Sequence, residues 1–178
     1  YELIRQNPDV IMFEEVKDAS WAHLIEELAL SGMLVLTSFR SYNVISAIKR
    51  LKSLGFPNFS SIQSIVNQKL IKKLCSSCKV EVEQTEEHKK FLNIEDENLI
   101  YAYEPDIRGC NHCLGGYKGM VAIFEIIRVN KDFIDFINQN QYSELASNFD
   151  SFCITTFKKH ASYLFSDGII SFEQLKSL

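Results

Sequence analysis

Arg5-Gln-Asn-Pro-Asp-Val-Ile-Met-Phe-Glu-Glu-Val-Lys-Asp18 joins a continuous apolar run, Val10 to Phe13, to a cluster of acids. An apolar run without polar alternation fits a strand buried on both faces of a parallel sheet. Asp18 can then cap a helix beginning near Ala19, with Trp21, Ile25, Leu28 and Ala29 facing inward. Gly32 closes that helix, and Met33-Leu-Val-Leu-Thr-Ser-Phe39 reads as a second buried strand. Val44, Ala47, Ile48, Leu51 and Leu54 share one face of a further helix, stopped by Gly55 and Pro57. Strand, helix, strand, helix with short connections is the α/β layer pattern.

Further along, Ser60 or Ser61 can cap a helix carrying Ile62, Ile65, Val66, Leu70 and Leu74 on one side. Residues 79–109 are acidic and polar, with one helix expected around 86–92. Gly115, Gly116 and Gly119 mark turns, and 121–127 reads as a strand. The remainder is expected to be helical, at about 131–139, about 152–165, and a last piece opened by Ser171. Gln174, three residues after Ser171, completes a capping box. Composition shifts near 75 and near 129, which divides the chain into 1–74, 75–128 and 129–178. There is no internal repeat and no low-complexity segment.

Two Cys-x-x-Cys pairs, Cys75-Ser-Ser-Cys78 and Cys110-Asn-His-Cys113, are separated by 31 residues. A two-residue gap lets a tight knuckle aim both sulfurs at one ion, and four thiolates surround zinc tetrahedrally. Disulfides are the competing explanation, but the cysteines number five, an odd total, and a secreted chain with a signal peptide is not expected. A thioredoxin-like redox site would use one pair and leave the other unexplained. Cys153 fits a buried thiol in an apolar helical stretch, and His112 is a weaker ligand than the complete set of cysteines. Lys69, Lys72, Lys73 and Lys79 flank the first knuckle and are expected to favour the thiolate form.

At 178 residues the chain can hold one fair-sized core or two small ones. Its 46% apolar and 24% charged content is that of a folded, soluble protein. A net charge of −4 supplies no global basic field to attract nucleic acid. Apolar runs such as Met33 to Leu36 are far too short to cross a bilayer. The start at Tyr1, already entering a motif, leads to the expectation of a piece of something longer, held where thiols stay reduced.

Acids after an apolar strand carry a specific chemistry in nucleotide-binding α/β folds. There the carboxyl end of a central strand is where phosphates and Mg²⁺ sit, and a carboxylate can orient an attacking water. The same pattern also arises when a buried strand simply leads into a solvated loop.

The segment from Arg5 to Asp18 resembles the Walker B region of the type II secretion and type IV pilus assembly ATPases, a branch of the P-loop NTPases. The resemblance continues through Ser31-Gly-Met-Leu-Val-Leu-Thr-Ser-Phe-Arg-Ser41, which matches that family's histidine box. It extends through Gln68-Lys-Leu-Ile-Lys-Lys-Leu-Cys75 and through Gly116-Tyr-Lys-Gly119 with Glu125, so that nearly the whole chain is covered in the family's order. It implies the C-terminal half of a RecA-like ATPase domain, without its Walker A half, followed by a tetracysteine zinc subdomain and a small helical subdomain. It further implies a hexameric ring, ATP and Mg²⁺ in the intact parent, and structural zinc held by Cys75, Cys78, Cys110 and Cys113. The implied location is cytoplasmic and peripheral to the inner membrane, against the platform protein of the machine.

Within this resemblance, Glu15 aligns with the glutamate that positions the attacking water. Several positions depart from the pattern. Glu14 replaces a glycine, which adds bulk and charge where backbone should approach phosphates. Lys17 replaces an arginine and loses its bidentate fork. Met33 and Arg40 stand where the two histidines belong, and Met120 stands where an arginine follows Gly119. Methionine does no acid–base work, whereas Arg40 can still contact a phosphate. The phosphate-cradling loop Gly-x-x-x-x-Gly-Lys-Ser/Thr occurs nowhere in the 178 residues. The expectation is therefore a fragment of a secretion or pilus motor with weakened hydrolysis, inactive by itself. The alternative is a pseudo-ATPase that keeps the fold and partner contacts without turnover. A nucleic-acid-binding zinc ribbon fits the net charge poorly.

Overall fold

The computed structural model describes residues 4–41, 43–56, 58–92 and 101–178. In chain order the first elements are β1 (Val10–Phe13), α1 (Ala19–Leu30), β2 (Leu34–Thr37), α2 (Val44–Ser53) and β3 (Ser64–Leu74). They are followed by β4 (Val80–Val82), α3 (Glu86–Leu92), β5 (Ala102–Glu104) and β6 (Tyr117–Arg128). The chain ends with α4 (Lys131–Asn138), α5 (Tyr142–Ser147), α6 (Phe149–Phe152), β7 (Cys153–Thr155), α7 (Phe157–Ser166) and α8 (Phe172–Lys176). Its contacts define two compact units, Tyr1–Ile65 with Ile127–Cys153 and Val66–Ile126 with Ile154–Leu178. These units cut across the compositional divisions at 75 and 129.

In the first unit, β1 and β2 pair in parallel, from Val10 opposite Leu34 to Phe13 opposite Thr37. Asp18 has extended backbone and accepts the Trp21 N–H at 3.1 Å, which sets the start of α1. Asn43 does the same for α2 through the Ser46 N–H at 2.8 Å. Gly32 and Gly55, both at positive φ, follow the two helices. Pro57, expected to help stop α2, lies outside the described residues. The core gathers Val16, Ala22, Ile25, Val44, Ile48 and Leu51 with Ile127, Phe133, Ile137, Leu145 and Phe152. Phe13 and Trp21 pack edge to face beside it, with ring centroids 5.3 Å apart.

The expectation that both strands are buried on both faces is corrected. Burial alternates along them: Phe13 and Val35 pack on the core, while Val10, Met12, Leu34 and Leu36 are about half exposed or more. Only one face of this two-stranded sheet is covered within the unit.

The second unit is built on strands. β3, β6 and β7 form a three-stranded sheet in the order β3-β6-β7, and β4 pairs antiparallel with β5. Ile71 and Ile123 pack with Phe157, Ala161, Phe165, Ile170, Phe172 and Leu175. His88 of α3 is buried here, its ring 4.2 Å from that of Phe172 and 5.5 Å from that of Phe165.

Two helix expectations fail in this region. Residues 64–74 form the long strand β3, preceded by a 3₁₀ turn at Phe59–Ser61, rather than a helix. The apolar spacing that imitated a helix is overridden by sheet pairing, which places Ile71 and Leu74 in the interior. The helix expected from 152 begins only at Phe157, capped by Thr156, because β7 intervenes. Cys153 therefore opens a strand, with its thiol 3.4 Å from the Phe149 carbonyl.

Candidate metal centre and the acidic strand end

The first knuckle follows directly from the end of β3. The Cys75 N–H donates to the Gly116 carbonyl at 2.8 Å, and the Cys75 carbonyl accepts from Cys78 N–H at 3.3 Å and Lys79 N–H at 2.9 Å. These bonds fold Cys75 to Cys78 into a tight turn with both thiols on its inner side. The second knuckle repeats the device, with Cys113 N–H on the Cys110 carbonyl at 3.2 Å and Cys110 N–H on the Cys113 Sγ at 3.3 Å. Two glycines let the backbones close in. A Cβ on Gly109 would lie 3.2 Å from Gly115 N, and one on Gly116 would lie 2.5 Å from Pro105 Cβ.

The four Sγ atoms lie within 4.8 Å of one another. Cys78 and Cys113 are separated by 3.5 Å, Cys110 and Cys113 by 3.7 Å, and Cys75 and Cys110 by 3.9 Å. Sulfurs about 2.3 Å from a central zinc in a tetrahedron stand about 3.8 Å apart. A disulfide needs about 2.05 Å. The donor set and its spacing therefore fit one tetrahedral, thiophilic ion. Among the described residues this is the one group of three or more metal-ligating side chains drawn together, and His112 and Cys153 stand outside it.

The thiols are not equivalent. The backbone N–H of Ser77, more than any other neighbour, brings Cys75 down to about 7. Burial, followed by its contact with Cys113, pushes Cys78 well above the ordinary thiol value. Three of the four lysines expected to favour the thiolates have other partners. Lys79 donates to the Gly168 carbonyl at 2.7 Å and lies over the Tyr103 ring, Lys72 lies over Tyr117 and Lys69 over Phe157.

The second candidate site is the carboxyl end of the β1–β2 pair. Glu15 follows β1 and is half-buried, while Arg40 follows β2 and is exposed. Because the strands run in parallel, both residues leave the same edge of the sheet. Glu14 is exposed, and Met33 sits at the opposite end of β2, just before its first residue. The Arg50 guanidinium donates to the Arg40 carbonyl at 2.6 Å and holds this loop against α2. Ser38, which sequence reasoning did not single out, touches the backbone on either side of Glu15.

The family model described as Type II/IV secretion system protein matches residues 2–177. The chain is 26% identical over 180 residues to the type IV pilus assembly ATPase PilB of Acinetobacter baylyi, covering 97% of this chain and 31% of that protein. It is 31% identical over 140 residues to the type II secretion system ATPase E of Vibrio cholerae, covering 76% of this chain and 27% of that protein. The chain thus spans about a third or less of the length of these curated relatives. In fold it matches the Yersinia pseudotuberculosis ATPase DotB with a TM-score of 0.63 at 20% identity, covering 99% of this chain and 38% of that one. A match over residues 2–177, nearly the whole chain, means that the chain belongs to the type II/IV secretion system protein family.

Proposed function

We propose that this chain is the C-terminal part of a motor ATPase that drives type II secretion or type IV pilus assembly. The observation that carries the reading is the family match over 2–177, together with Glu15 and Arg40 at the same edge of a parallel strand pair. In this reading Glu15 orients the water that attacks ATP, and Arg40 faces a phosphate. The parent works as a hexameric ring on the cytoplasmic side of the inner membrane, with Mg²⁺ at the nucleotide and the platform protein as its partner. Cys75, Cys78, Cys110 and Cys113 hold zinc, which when bound supplies a cross-link between two distant knuckles. The two knuckles, joined through the ion, then carry motion to the partner as a stiff piece.

The 178 residues contain no phosphate-cradling loop, so the chain alone is expected not to hydrolyse ATP. ATP turnover by the purified chain, abolished by Glu15→Gln, would overturn this. In a longer protein that joins the phosphate loop to this chain, Glu15→Gln should abolish turnover.

A second reading, a pseudo-ATPase that keeps ring and partner contacts, is favoured by one observation. Glu14, Met33 and Arg40 stand where the resemblance calls for a glycine and two histidines. Absence of turnover in the longer protein, with nucleotide binding retained, would select it. No nucleic acid is assigned as a partner, and a salt-series DNA-binding measurement should find none near physiological salt.

A further inference from the structure

We propose that Ser38 is a positioning residue for Glu15, locking a one-residue slip in the strand ladder that presents the Glu15 carboxylate. The inference rests on the reading of Glu15 given above.

The ladder itself reveals the slip. With Val10 opposite Leu34, the Leu34 N–H donates to the Asp9 carbonyl at 2.9 Å, as a regular parallel ladder requires. Carried forward in the same register, the Ser38 carbonyl should receive the N–H of Glu15. It receives the N–H of Val16 instead, at 3.1 Å. One residue has been added to the β1 side between Phe13 and Val16, so Glu14 and Glu15 together face Ser38 and Glu15 moves into the place that Glu14 would take in regular register. Such an insertion bends the strand and re-aims the side chain at the step. The added residue has no partner in the ladder, so the strand pairing that ends at Phe13 and Thr37 does not by itself bar a return to regular register at this step.

Ser38 closes that route from both sides. Its carbonyl holds the residue after Glu15, and its hydroxyl donates to the carbonyl of Glu14, the residue before. Val16 is anchored further by its side chain, which is 2% exposed in the core. Two residues beyond Ser38, the Arg40 carbonyl is pinned by Arg50. Glu15 and Arg40 are thus held by one short segment, 38–40, whose own anchor is α2.

Amide exchange on the 178-residue chain tests the lock. In Ser38→Ala the Val16 amide should exchange about tenfold faster than in the unaltered chain, while Ser38→Thr, which keeps the hydroxyl, should stay within about threefold. The Ile48 amide, deep in the same core, serves as the control for general loosening. Unchanged Val16 exchange in Ser38→Ala would overturn the proposal, as would equal acceleration at Val16 and Ile48.

In the longer ATP-hydrolysing protein, Ser38→Ala should lower kcat about tenfold with KM nearly constant, and Ser38→Thr should restore it. If Glu15→Gln abolishes turnover and Ser38→Ala leaves kcat unchanged, the positioning role is wrong. If Glu15→Gln leaves turnover intact, the reading of Glu15 fails, and the exchange experiment still decides the lock.

Discussion

The sulfurs of Cys75 and Cys110 lie 3.9 Å apart although 35 positions separate them in the chain. Closing so long a loop costs conformational entropy, and much of the intervening chain is polar. An ion shared by four sulfurs offsets that cost, because metal binding is coupled to folding. Purified protein should carry one equivalent of zinc, and Cys110→Ser should carry far less. Chelation should expose residues 75–113 to protease before the rest of the chain. The dependence on pH has a definite sign. Cys75 is brought to about 7 by the Ser77 N–H, whereas burial raises Cys78. At neutral pH the ion must therefore displace protons, so affinity should fall as pH is lowered from 8 toward about 5. Zinc titration across that range, with proton release measured by calorimetry in two buffers, checks it.

Two neighbouring glycines separate steric demand from backbone demand. Both Gly115 and Gly116 have positive φ, but only Gly116 faces crowding, with a Cβ falling 2.5 Å from Pro105 Cβ and 2.8 Å from the Asp106 carbonyl oxygen. Gly115→Ala meets nothing within 4 Å and should cost about 1 kcal/mol, from backbone strain alone. Gly116→Ala should cost about 3 kcal/mol or more and weaken zinc binding, since the Gly116 carbonyl also receives the Cys75 N–H. Thermal denaturation with and without chelator compares the pair. Equal losses would mean that Pro105 yields easily.

The start of α1 was legible in the sequence, and its energetic weight can be measured. Asp18 accepts the Trp21 N–H, and its carboxyl lies below the usual range because of the Ser20 hydroxyl and that N–H. Asp18→Ala should lower stability, and Asp18→Asn should lower it less, because asparagine caps nearly as well. Urea denaturation followed by the fluorescence of Trp21 reads the unit directly.

The same comparison shows where sequence reasoning ends. Asp18, Gly32 and the spacing of Val44, Ala47, Ile48 and Leu51 act within a few residues, so α1 and α2 could be read off the chain. The helix at 86–92 was likewise found where expected. β3 was not, because Ile62, Ile65, Val66, Leu70 and Leu74 fall at helical spacing while the force that decides the matter is pairing with β6, some fifty residues away. The gathering of Cys75, Cys78, Cys110 and Cys113 was legible because metal chemistry imposes a fixed spacing. The slip at Glu15 was not, since it exists only in the register between two strands.

Ser171 shows a capping pattern that was half read. Its hydroxyl oxygen accepts the Gln174 N–H at 3.4 Å and opens α8, as the sequence pattern requires. The Gln174 side chain, however, accepts the Lys72 N–H of β3 at 3.0 Å, so the helix is tied to the sheet. The buried Ser171 hydroxyl also lies 2.8 Å from the Tyr117 hydroxyl on β6. Ser171→Ala removes a cap and leaves the half-buried tyrosine hydroxyl without this partner, for an expected loss of about 2 kcal/mol. Tyr117→Phe should cost about 1 kcal/mol, since it removes one hydrogen bond and leaves the cap in place. If the two hydroxyls act on each other, the double variant should lose less than the sum of the singles, by about 0.5–1 kcal/mol. Chemical denaturation of all four proteins closes the cycle, and strict additivity would show that the 2.8 Å contact contributes nothing to stability.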